Sequence, residues 1–235
     1  MVAPIPPNEK ARLATLKRYK ILDTPPERAF DDVSKLAAYI CGTPMATVSL
    51  IDSNRQWFKA KVGLDSSETS RDLAFCAHAI LQTEPLVVEN ATEDARFSDN
   101  PLVTGEPRIR FYAGAPLTAP DGNNLGTLCV IDRKPRQLTP DQKTALEALG
   151  RIVITELELR RVSNELTDAL SNVKTLSGLL PICAYCKGVR NDQGYWEQVE
   201  VFVESHSSAE FTHGICPACS KKHFNTTVGG SPRKP

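Results

Sequence analysis

The chain has 235 residues, 41% hydrophobic and 24% charged, and its 28 Lys and Arg balance 28 Asp and Glu. That length and apolar content fit one full globular domain with a smaller unit and exclude wholesale disorder, while zero net charge gives no electrostatic footprint for nucleic acid. The opening MVAPIPPNEK has no basic start followed by an apolar core, and no stretch approaches the ~18 consecutive apolar residues of a membrane span, so the sequence predicts a cytoplasmic protein without a membrane partner.

In chain order, Asn8 is expected to cap a helix carrying Leu13 and Leu16, and residues 1–21 read as an N-terminal helix. A second helix follows Pro25 and Pro26, with Phe30, Val33, Leu36, Ala37 and Ile40 at helical spacing and Gly42 as its stop. Strand patterns occupy 46–52, 56–62, 86–89, 108–117 and 125–131, and the segments at Asp52–Arg55 and Asp121–Asn124 read as hairpin turns. The result is an α+β domain with an antiparallel sheet, a helical patch at 72–81, and a polar stretch at 90–107 long enough to cover a pocket.

A long helix runs from about Pro140 toward Leu176. Ile152, Leu159, Leu166, Val173 and Leu180 recur every seven residues, with Val162, Ala169 and Leu176 between them and Thr155 as the exception. This predicts a coiled coil over 158–177 and a homodimer, while Leu146 to Leu157 packs on the chain's own sheet. Gly178 marks the exit into a small unit, 178–225, followed by a disordered basic tail, 226–235.

That small unit holds Cys183-x-x-Cys186 and Cys216-x-x-Cys219, the most specific chemical pattern in the chain. Each turn lets two thiolates converge on one ion, and two turns together supply the four soft ligands of a closed structural Zn²⁺ site. Disulfides or a redox dithiol compete, but they need an oxidising compartment or a thioredoxin-like context that the sequence lacks. A unit this small buries little apolar surface, so a metal crosslink is a source of stability, with Tyr195, Trp196, Val199, Val201, Phe202 and Phe211 expected around it. His206, His213 and His223 are rival ligands, His213 reading as an outer partner of the metal. Between the outer cysteines, Lys187 and Arg190 face Asp192, Glu197, Glu200, Glu204 and Glu210, an acidic balance that opposes phosphate and favours docking a protein.

The ordered strings ILDTPPERAFDDV, VSLIDSNRQWFKAKVGL, FCAHAIL, NATEDARFSDNPLV, RFYAGAPL and LGTLCVIDRKPRQLT make residues 22–157 resemble a bacterial GAF domain. The resemblance implies a sensor module with an antiparallel sheet of five or six strands, helices on one face and a ligand pocket on the other, but it implies no particular ligand. Residues 176–224 resemble the cysteine extension that follows sensor and receiver modules in bacterial signalling proteins.

Within the GAF-like region the candidate ligand-binding residues are Asp94, Arg96 and Phe97 in the covering stretch, and Arg110 and Tyr112 on the next strand. Alternation puts Arg108, Arg110 and Tyr112 on one face and Ile109, Phe111 and Ala113 on the other, and a pocket arginine would favour an anionic ligand. Solvated ion pairs at the loop base are the competing account. Cys76 and His78 stand two apart on a predicted helix and so do not face each other. Cys41, Cys76 and Cys129 read as small buried hydrophobes scattered over two helices and a strand.

Two function classes remain. The preferred one is a non-catalytic sensor, in which a small ligand bound by the GAF-like domain acts through a dimeric helix on a zinc module that docks an unidentified signalling protein. The alternative is a redox enzyme like the methionine sulfoxide reductases of the same superfamily, which needs a nucleophilic and a resolving cysteine to converge. No kinase, cyclase, phosphodiesterase or receiver motif appears, nor a P-loop or dinucleotide fingerprint, so no enzymatic activity is expected.

Overall fold

The computed structural model describes residues 2–174, 180–191, 193–207 and 209–224. The chain divides into two compact units, residues 1–165 and 166–235. In the first, α1 (Glu9–Arg18) and α2 (Arg28–Cys41) precede β1 (Met45–Ile51), β2 (Arg55–Val62) and β3 (Glu68–Ser70). A 3-10 turn at Arg71–Leu73 leads into α3 (Phe75–Ala79), β4 (Leu86–Val88), α4 (Pro101–Thr104), β5 (Phe111–Thr118), β6 (Asn124–Asp132) and α5 (Pro140–Lys174). The strands form one sheet in the order β3-β2-β1-β6-β5-β4, antiparallel at every pairing.

Both faces of this sheet are covered, which is why β1 is buried along its whole length. Ala46, Val48 and Leu50 face a core completed by Phe30, Val33 and Ala37 of α2 and by Leu146, Leu149, Val153 and Leu157 of α5. Met45 and Ile51 face a second core with Phe75 and Cys76 of α3, Phe97, Tyr112 and Cys129. The inward stripe of α2 is Phe30, Val33, Ser34, Ala37, Ala38 and Cys41, so Leu36 and Ile40, expected inside, are exposed instead.

The N-terminal segment is part of this unit rather than a separate element, since Leu16, Tyr19 and Ile21 belong to the first core. Asn8 makes no capping bond; its side-chain amide donates to Asn123 Oδ1 at 2.8 Å. Arg12 is only 1% exposed and donates to the Ile51 carbonyl at 2.6 Å. Glu9 accepts from Arg12 at 2.8 Å and from Arg71 at 2.5 Å.

Four of the expected strands occupy their expected places, and the strand read over 108–117 begins later, at Phe111. Arg108 takes a positive φ of 61° and breaks the alternation, so Ile109 joins Tyr112 in the second core rather than sharing the face of Phe111. The stretch read as irregular contains α4, which begins where the Asn100 side chain accepts from the Leu102 amide and Pro101 takes the first helical position.

On α5, Ile152 on the outer side of the sheet-packing part, and Leu159, Val162 and Leu166 beyond it, are exposed. The Val173 side chain, Leu176, Gly178 and the tail at 226–235 lie outside the described residues. Among the described residues no helix is long and apolar enough to cross a membrane.

In the second unit, β7 (Val189–Arg190) and β8 (Trp196–Glu197) form a small antiparallel hairpin, followed by α6 (Val199–His206) and α7 (Pro217–Phe224). The expected aromatic cluster does not form. Phe202 is buried, but Tyr195, Trp196, Val201 and Phe211 are exposed, because two-residue strands and two-turn helices offer no face broad enough to cover them.

Candidate functional site

A bulge in β2 pairs Ser49 with Phe58 and Val48 with Ala60. It turns Lys59 to the first-core side, where its ammonium bonds to Thr24, the Pro25 carbonyl and Glu27. Gln56 and Phe58 are left on the opposite side. There Gln56 lies directly across from Thr69 of β3, and both line a cleft of about 470 Å³ walled by Phe58, Leu102, Ile109 and Ile131, with Glu106 and Arg133 supplying charge.

Gln56 Oε1 and Thr69 Oγ1 are buried and have no hydrogen-bond partner. Leaving a buried polar atom unpaired costs about 1–3 kcal/mol, so a polar group that reaches the pair is favoured. The sequence reading missed both residues. The available signal was a polar side chain at the inward position of a strand, two residues before the buried Phe58.

None of the expected ligand residues lines this cleft, and Asp94 lines a separate one with Asn90, Glu93 and Arg136. Asp94 and Arg96 pair with each other at 2.6 Å. Phe97 is fully buried and stacks on Phe75 with ring centroids 4.0 Å apart. Arg110 donates to the carbonyls of Val103 and Ile109, tying down the segment beside the cleft. Tyr112 is a core residue whose hydroxyl reaches Cys76.

That last contact belongs to a buried polar layer beneath α3. Thr47, Ser49, Thr127 and Cys129 sit at inward positions of β1 and β6, and Cys76 descends onto them from α3. Cys76 Sγ lies 3.8 Å from Cys129 Sγ and accepts from Tyr112 Oη at 3.3 Å. Thr47 Oγ1 is 2.6 Å from Ser49 Oγ and 3.0 Å from Cys129 Sγ, and the buried Thr127 hydroxyl neighbours both thiols. Gly114, opposite Cys129, makes room: a Cβ there would stand 2.1 Å from Tyr112 Oη. Cys41 is a buried apolar residue of the first core as expected. Cys76 and Cys129, expected to be scattered, converge, because the register of β6 brings position 129 under α3. Burial pushes the Cys76 thiol up, but hydrogen bonding with Cys129, Thr127, Tyr112 and Ser49 outweighs it and holds it at about 7, whereas its bond to Cys76 and its burial push Cys129 up. His78 meets Phe97 edge-on, with ring centroids 4.8 Å apart.

In the second unit each cysteine pair is locally ordered. The Cys183 amide donates to the Gly188 carbonyl and the Lys187 amide to the Cys183 carbonyl, and Cys216 Sγ accepts from the Cys219 amide at 3.4 Å. The two pairs are not gathered: no three His, Cys, Asp or Glu side chains among the described residues form a group able to hold a metal ion. His206 bonds to the Phe202 carbonyl and stacks on the Phe202 ring rather than approaching the thiols.

A family model described as the GAF domain matches residues 25–157. The GAF domain of a phosphoenolpyruvate-protein phosphotransferase from Coxiella burnetii superposes with a TM-score of 0.51 at 15% identity, covering 67% of this chain and 97% of that one. The corresponding domain from Acinetobacter gives 0.50 at 19% identity, covering 65% and 95%. A cyclic di-GMP phosphodiesterase of Pseudomonas aeruginosa is 43% identical over 166 residues, which is 70% of this chain and 28% of that protein. The expectation that the chain is not an enzyme does not survive this relative, whose name is that of a catalyst.

Proposed function

The chain belongs to the GAF domain family, and from that premise we propose that it serves cyclic di-GMP signalling, its GAF unit sensing a small ligand that governs phosphodiester hydrolysis. The observation that carries this reading is the 43% identity to the Pseudomonas aeruginosa phosphodiesterase, of which the match spans 28%. In this reading the ligand occupies the cleft at Gln56 and Thr69, giving a hydrogen-bond donor to Gln56 Oε1 and laying an apolar body along Phe58, Leu102 and Ile131. Exchanging the matching stretch of the Pseudomonas aeruginosa enzyme for that of this chain tests it. Retained hydrolysis of cyclic di-GMP that changes several-fold on Gln56→Leu is the expected result. Loss of hydrolysis, or indifference to Gln56→Leu combined with Thr69→Val, would sink the reading.

We further infer that Cys183, Cys186, Cys216 and Cys219 hold one structural Zn²⁺, that α5 pairs with that of a second copy, and that the second unit docks a signalling protein. The locally ordered cysteine turns and the small core of the second unit support the metal. The exposed Leu159, Val162 and Leu166 support the pairing. The zinc supplies a crosslink, as the hairpin and α7 have little else to hold them. Native mass spectrometry reads both: two chains with two zinc ions are expected, Cys219→Ser should lose the metal, and Leu166→Glu should give a monomer that keeps one. Wild-type protein without zinc, or a Leu166→Glu chain that stays dimeric, would overturn the corresponding part.

A further inference from the structure

We propose that Cys76 and Cys129 form a redox-active dithiol that a small hydroperoxide converts to a disulfide. Three observations meet at this point of the fold. The two sulfurs are already in contact at 3.8 Å, so bond formation requires an approach of about 1.8 Å. Cys76 rides on α3, a helix of five residues. Thr127 is fully buried in the same layer, its hydroxyl a neighbour of both thiols.

The chemistry uses each of these groups. The Cys76 thiolate attacks one oxygen of the hydroperoxide, the O–O bond breaks, and the leaving alkoxide or hydroxide takes a proton to depart as alcohol or water. Cys76 is now a sulfenic acid, its oxygen accepting from Thr127. The Cys129 sulfur, as thiolate, then attacks the Cys76 sulfur, the S–O bond breaks, and hydroxide leaves as water after taking up the proton that Cys129 gave up. Two thiols and one hydroperoxide become one disulfide, one alcohol or water, and one further water; the hydroperoxide is the oxidant, and the two thiols supply the electron pair. Tyr112 favours Cys76 as the attacking sulfur because its hydroxyl donates to Cys76 and not to Cys129.

Burial sets the rate. Cys76 is 2% exposed beneath the stacked rings of Phe75 and Phe97, so the oxidant enters when α3 lifts. Hydrogen peroxide is therefore expected to react faster than a branched alkyl hydroperoxide, although thiols in the open would show little difference.

Peptide mapping of the full, reduced chain after treatment with hydrogen peroxide tests the proposal. The expected product is a linked pair of peptides joining Cys76 to Cys129, less two hydrogens and restored by dithiothreitol. In Cys129→Ser, whose hydroxyl keeps a partner for Thr47, dimedone should label Cys76 as trapped sulfenic acid well above the buried control Cys41. The proposal is overturned if Cys76 and Cys129 stay reduced after Cys183, Cys186, Cys216 and Cys219 are all oxidised. It is equally overturned if Cys76 and Cys41 take up dimedone alike in a Cys129→Ser chain whose melting temperature matches wild type. The wild-type map decides the question alone if that variant fails to fold.

Discussion

Gly126→Ala is expected to prevent the first unit from folding. Gly126 lies opposite Leu50 where β6 and β1 run side by side at the centre of the sheet. A Cβ at that position would stand 1.9 Å from the Ser49 carbonyl oxygen and 2.8 Å from the Leu50 Cα, and neither is the far end of a movable side chain. The strands would have to part where two cores depend on them, a loss of at least about 4 kcal/mol, a large fraction of the stability of an ordinary domain. Gly150→Ala is the internal control. There the nearest atom to a new Cβ is 3.6 Å away, and the position is within α5, so alanine should be neutral or stabilise by about 0.5–1 kcal/mol. Circular dichroism of the two variants separates the outcomes, and a folded Gly126→Ala chain with native melting would show that β1 and β6 lie further apart than described.

The second large effect concerns Glu9, whose carboxylate neutralises two arginines almost removed from water, Arg12 at 1% and Arg71 at 7% side-chain exposure. Glu9→Gln leaves both buried without a counter-ion, which costs about 3–5 kcal/mol and lowers the melting temperature by on the order of 10 °C. Burial raises the Glu9 carboxyl, but the bonds from Arg12 and Arg71 more than reverse this and hold it at about 2, below the ordinary 4.5. A depressed folded-state value means that the stabilisation is complete above pH 4.5 and is lost as the pH falls from there toward 2. The wild type should therefore lose stability more steeply than Glu9→Gln across that window. Parallel acid-melting curves would refute the assignment.

Much of the first unit was legible because its strands alternate cleanly and its turns carry Asp, Asn and Gly. Ala46, Val48 and Leu50 against Met45, Thr47, Ser49 and Ile51 is a period-two pattern, and both faces prove to be covered. β3 was not legible: Glu68, Thr69 and Ser70 carry no apolar residue, and only pairing with β2 makes them a strand. Arg12 was not legible either, since an arginine between exposed neighbours gives no sign that it will bond the Ile51 carbonyl from inside. The cleft escaped for the same reason, because an orphaned Gln56 is defined by what fails to reach it. The thiol pair required knowing the register of β6 under α3, and no local pattern links positions 53 residues apart.

The way the chain enters and leaves the first unit bears on how far the unit can be treated as an interchangeable part. The family match runs over 25–157, yet Leu16, Tyr19 and Ile21 before it are core residues. After it, Glu158 accepts from the Tyr19 hydroxyl, and Arg160 bonds to Glu27 at 3.0 Å and to the Lys20 carbonyl at 3.1 Å. The incoming and outgoing segments are thus clasped to each other. A fragment trimmed to the matched residues would open the hydrophobic interior at one end and sever the clasp at the other, so it should aggregate where a fragment spanning 1–165 stays in solution. Tension applied to the incoming or outgoing segment would load Glu27, Lys20 and Arg160, and a hinge engineered into this joint would free α5 from the incoming segment.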